Sequence, residues 1–167
     1  MSSRKKYRPK PVTLNALQRA IEGASTLPKH HQEHIVMMLR RAWDEILAGR
    51  ISGQALCDLA YGGNMAGEFS GLGICSDADS VRKTETAQSI IERIARAQAA
   101  KLPIEIAADD DAAMDEALFL WQVQLQFVSH SEFERARAAV NRALADAKRG
   151  ILGKKTTLVK FDNHVNQ

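Results

Sequence analysis

The sequence predicts an all-α protein: a single-domain bundle of about six helices with basic flexible extensions at both ends. Apolar residues recur at i, i+3, i+4 and i+7 through most of the chain. Capping residues stand ahead of several of these runs, and glycine or proline follows them. Local alternation leaves one alternative open, an α+β fold with short strands near 102–107, 120–128 and 156–161.

Thr13 is a good N-cap for a first helix, with Leu14, Leu17, Ile21 and Ala24 on one face and Pro28 punctuating its end. Ile35, Met38, Leu39, Ala42, Trp43, Ile46 and Leu47 make the next helix the clearest in the chain, with Gly49 as its stop. Ser52 can cap a third helix carrying Leu56, Leu59 and Ala60. Gly62, Gly63, Gly67, Gly71 and Gly73 then predict an irregular or loosely helical stretch, because each glycine disfavours a helix interior by ~1 kcal/mol. Ser76, Asp77 or Asp79 can cap a fourth helix on Ala87, Ile90, Ile91, Ile94 and Ala95, with Pro103 past its end.

Residues 109–128 read in two ways. Trp121, Val123, Leu125 and Phe127 alternate with Gln122, Gln124 and Gln126, as a half-buried strand would. Met114, Ala117, Leu118, Trp121, Leu125 and Val128 also share a helical face, and Asp109, Asp110 and Asp111 suit the positive end of a helix. The helix is favoured, since the segment is long and contains no turn residue. Two overlapping capping boxes, Ser129 with Glu132 and Ser131 with Glu134, start the last helix. Phe133, Ala136, Val140 and Leu144 form its face, and Gly150 ends it.

The domain division is a basic extended arm at 1–12, a helical domain at 13–150 and a basic tail at 151–167. Charge divides the chain in nearly the same way. Arg4, Lys5, Lys6, Arg8 and Lys10 are unopposed by any acid, while Lys148, Arg149, Lys154, Lys155 and Lys160 face only Asp162. With a net charge of +3 for the chain, the body at 13–147 carries −6. A nucleic-acid surface would have to be built from the ends, because the body alone repels phosphate. Tyr7, held between Lys6 and Arg8 in the arm, could stack on a base or enter a partner's pocket.

The sequence also weighs against several activities. Cys57 and Cys75 lack metal-knuckle spacing and are too few for a disulfide framework, so reduced thiols in a cytoplasmic protein are expected. No apolar run approaches the ~18–20 residues that span a bilayer, and no apolar segment follows the basic arm as in a secretory signal.

The opening Ser3-Arg4-Lys5-Lys6-Tyr7-Arg8-Pro9-Lys10-Pro11-Val12 resembles the start of a group of small, largely uncharacterised proteins of tailed phages and prophages of Gram-negative bacteria. Asn64-Met65-Ala66 followed by Glu68, and Gln124-Leu125-Gln126 leading to a capped helix, are compatible with that group. Gly67 departs from it by splitting the Ala–Glu pair. The resemblance implies an intracellular phage accessory role and brings no catalytic residues.

Three constellations invite chemistry. His30-x-x-Glu33-His34 has the spacing of one metallopeptidase class, but it stands in a polar first turn with no compelling third ligand. Gly62 to Gly67 frames a phosphate loop, yet Glu68 replaces the lysine that such a loop needs. Asp109, Asp110, Asp111, Asp115 and Glu116 could attract a cation, though a charged helix start is the simpler reading. Trp43 and Trp121 are expected in the core.

The expected function is therefore non-enzymatic, with no catalytic residue, metal or cofactor. The chain is expected to bind a host or phage protein in the cytoplasm of a bacterial host cell, with antagonism of a host process as one expected outcome. Non-specific nucleic acid is the alternative partner. The candidate binding residues are Arg4, Lys5, Lys6, Tyr7, Arg8, Lys10, Lys154, Lys155 and Lys160. Spare apolar helix faces also make a homodimer an expectation. No membrane partner is expected.

Overall fold

The computed structural model describes residues 21 and 23–149, and these contain five α-helices and no β-strand. They are α1 (Lys29–Leu47), α2 (Gly53–Gly71), α3 (Ala78–Ala99), α4 (Ala108–Phe127) and α5 (His130–Lys148). Residues 21, 23 and 24 are helical as well, whereas the remainder of the expected first helix lies outside the described residues. Segment 156–161 lies outside them too. The other two strand candidates are resolved: 102–106 is a connection, and 120–127 belongs to α4.

Local chemistry sets the helix ends. Ser52 accepts the Ala55 N–H at the start of α2, and Asp77 accepts the Ser80 N–H at the start of α3, each at 3.0 Å. At α5 the Ser129 Oγ accepts from the Glu132 N–H at 3.3 Å, while Glu132 accepts from the Ser129 N–H at 2.8 Å. α1 and α2 each close with a glycine in the left-handed region, Gly49 at φ 74° and Gly73 at φ 90°. Arg50 N–H then reaches Glu45 O, and Ile74 N–H reaches Phe69 O. α3 closes in the same way on Lys101 at φ 53°, with Leu102 N–H on Ala97 O.

α2 is the central element and packs against all four other helices. Its helix runs unbroken from Gly53 to Gly71, which corrects the expectation of an irregular stretch after Gly62. The reason is close packing. A Cβ on Gly62 would stand 2.7 Å from Leu39 Cδ2, and one on Gly63 would stand 3.1 Å from Gln88 Cγ and 3.3 Å from Trp121 Cη2. The two glycines let α1, α3 and the Trp121 ring close onto α2, and the packing outweighs their low helix propensity.

Two apolar clusters fill the bundle. The larger joins Leu39, Trp43 and Ile46 of α1 to Leu56 and Leu59 of α2, Ile91 and Ile94 of α3, and Met114, Leu118 and Trp121 of α4. The smaller gathers Leu27, Met65, Phe69, Leu125, Val128, Ala136 and Val140 under α5. Each large side chain removed from water in this way stabilises the fold by ~1.5–3 kcal/mol. Both tryptophans are buried, and each finds a hydrogen-bond acceptor: Trp43 Nε1 donates to Asp111 at 2.8 Å and Trp121 Nε1 to Thr84 at 3.3 Å.

Candidate protein-interaction surface

α4 carries apolar residues on two faces. Its inner face, including Met114, Leu118, Trp121 and Leu125, is buried in the bundle. Phe119, Val123 and Phe127 recur every fourth residue on the outer side, within about 80° of arc and ~12 Å of helix length. Phe119 is 62% and Phe127 67% exposed, and Val123 is half-buried. Met37 of α1, 63% exposed, lines an open groove of about 510 Å³ between α1 and α4 together with Val36, Gln122 and Gln126. Large apolar side chains grouped in water on one side of a folded domain mark an interaction surface more often than isolated ones do.

The alternating Trp121-to-Phe127 pattern was itself the signal of this surface. On a helix, alternation distributes apolar side chains over both faces, so the residues that suggested a strand become an inner and an outer stripe. The glutamines between them divide likewise. Gln124 is fully buried, and its amide lies within 3.2 Å of Ala66 O, Ser70 Oγ and Ile74 O, which ties α4 to the end of α2. Gln126 is exposed beside the groove.

The acidic start of α4 is largely engaged within the molecule. Asp110 meets Arg93 of α3 at 2.6 Å, Asp111 meets Trp43, Asp115 lies 3.6 Å from Arg40 of α1, and Glu116 lies 3.5 Å from Lys83 of α3. Partial burial works to raise the Asp110 carboxyl, but the Ala107 N–H and the Arg93 guanidinium outweigh it and hold the group below its ordinary range. These acids fasten α4 to its two neighbours. Among the described residues, no group of three or more His, Cys, Asp or Glu side chains is arranged to hold a metal ion.

His30, His31, Glu33 and His34 occupy the exposed first turn of α1, where the His30 and His31 rings stack at 5.2 Å and Glu33 lies 3.8 Å from Lys29. The Gly62–Gly67 frame is helix interior and presents no phosphate loop. Cys57 is exposed and Cys75 half-buried. Burial first, then Asp58 beside Cys57 and Asp77 beside Cys75, pushes both thiols up and disfavours the nucleophilic thiolate.

A second, smaller apolar recess of about 100 Å³ lies where α1, α2, α4 and α5 meet, with Met38, Tyr61, Met65 and Phe133 among its walls. Burial raises the Tyr61 phenol, with Arg137 opposing and Glu134 reinforcing that shift.

The residues singled out from the sequence as binding groups, Arg4, Lys5, Lys6, Tyr7, Arg8, Lys10, Lys154, Lys155 and Lys160, lie outside the described residues. No helix among the described residues is long and apolar enough to cross a membrane. Comparison with protein-family models, with curated proteins and with solved structures gave no match.

Proposed function

We propose that this chain is a non-enzymatic phage or prophage accessory protein that works in the bacterial cytoplasm by binding a host or phage protein. The observation that carries the reading is the outward Phe119–Val123–Phe127 stripe of α4. Burying two phenylalanines against a partner removes enough apolar surface to anchor an interface, and aromatic anchors dominate such contacts. The polar rim of Gln122, Gln126 and Arg40 supplies register. Occupying a partner's surface in this way would antagonise whatever that surface does.

The reading is tested by presenting immobilised full-length protein, an F119D/F127D variant and a 13–167 truncation to a bacterial lysate. A partner held by the full chain and the truncation, and released by F119D/F127D, supports it. A partner released by the truncation and held by F119D/F127D moves the site to the arm and overturns the α4 assignment.

A further inference from the structure

α5 turns Phe133, Ala136, Val140 and Leu144 toward the smaller core. Its opposite side is a single stripe of Ser131, Arg135, Ala138, Arg142, Ala145 and Arg149, spaced alternately four and three residues apart, and every one of them is exposed. Seven arginines among the described residues pair with a carboxylate: Arg40, Arg41, Arg82, Arg93, Arg96, Arg137 and Arg149. Arg135 and Arg142 do not, and neither does Arg50 in the α1–α2 turn. Two free guanidinium groups therefore stand seven residues apart on one helix, ~10.5 Å along its axis at the usual rise. Only small side chains lie between them. In sequence, the stripe leads on to Lys154, Lys155 and Lys160.

From this arrangement we infer that the outward face of α5 docks the phosphate backbone of double-stranded nucleic acid. Guanidinium forks match phosphate oxygens two at a time, and the intervening alanines let a backbone approach closely. The helix holds these cations on one line, and phosphate contacts from such a line position a protein on a duplex. The stripe has no aromatic side chain on which unpaired bases could stack, which disfavours a single strand. Binding of this kind reads no base sequence and weakens as salt rises. It is local to α5, since the body as a whole is acidic. It is also separate from the α4 stripe, so a failure of either surface leaves the other testable.

The test is fluorescence anisotropy of the full-length chain with a labelled mixed-sequence duplex and with one of its strands, across a salt series. The variants are R135E/R142E, the milder R135Q/R142Q, and R41E/R50E, which makes the same charge change off the stripe. Circular dichroism confirms that each is folded. The expected result is duplex binding by the wild type and by R41E/R50E. R135E/R142E should lose about tenfold in affinity, and the slope of log K against log salt should become shallower by about 2. R135Q/R142Q should fall between them. No duplex binding by the wild type at low salt would overturn the inference, as would equal losses in R135E/R142E and R41E/R50E, or tighter binding to the single strand.

Discussion

Trp43 of α1 donates its indole N–H to the Asp111 carboxylate of α4 at 2.8 Å, joining residues 68 apart in sequence. The ring is 2% exposed, so its N–H has no ready replacement partner. Asp111→Leu should cost ~1–3 kcal/mol by leaving a buried donor unpaired, whereas Asp111→Asn, which keeps an acceptor, should cost less. Urea unfolding of the two variants measures the difference, and equal losses would show that this bond does not hold α4 to α1.

The glycines of α2 should respond in opposite directions. Gly62→Ala drives a Cβ into Leu39 and should destabilise by ~1–3 kcal/mol. Gly67, in the same helix, is exposed, and a Cβ there would meet only the end of Gln88 at 4.0 Å. Gly67→Ala should therefore stabilise by ~0.5–1 kcal/mol through better helix propensity. Thermal melts of the pair check both signs.

Lys101 ends α3 in a left-handed conformation that a side chain resists. Lys101→Gly should raise stability by ~0.5–1 kcal/mol while leaving the Leu102-to-Ala97 hydrogen bond in place. A melting temperature unchanged or lowered by this substitution would show that the turn carries no such strain.

Acid should loosen the starts of both α4 and α5. The Ser129 hydroxyl and backbone N–H hold the Glu132 carboxyl below its ordinary range, and Asp110 is held low at the start of α4. Both groups favour the ionised form when folded, so the unfolded chain takes up more protons as pH falls. Their stabilisation is fully present above the ordinary carboxylate range, near pH 4, and is lost as pH drops through it and below. Glu132→Gln keeps the capping geometry but cannot ionise. Its unfolding midpoint should fall less steeply on acidification than that of the wild type, as denaturation at stepped pH would show.

Much of the architecture was legible in the sequence because it rests on local rules. The apolar face of α1, the caps Ser52, Asp77 and Ser129, and the stop at Gly49 all stand where short-range chemistry requires them. The run at Gly62 and Gly63 departs from its expectation because glycine propensity is local, while the close approach to Leu39 and Trp121 is tertiary. The acidic cluster read correctly as a helix start, but its ties to Trp43, Arg40, Arg93 and Lys83 depend on which helices become neighbours. The outer stripe of α4 was present in the alternation of 121–127. Only the choice of helix over strand turns Phe127 outward, and only the packing of α1 against α4 forms the groove that Met37, Gln122 and Gln126 line. The Arg135–Arg142 stripe was hidden for a different reason. The net charge of a segment conceals it, because α5 also holds Glu134 and Asp146, which the fold pairs with Arg137 and Arg149.

Site-specific photocrosslinking tests the α4 surface most directly. A photoreactive phenylalanine analogue placed at Phe119, at Phe127, and at exposed Glu85 of α3 as a control would be activated in living bacterial cells. One protein species should be captured from both 119 and 127 and not from 85. An adduct of the chain with itself would assign the face to a homodimer and contradict binding of another protein there. So would capture from 85 equal to that from 119 and 127, or no capture at all.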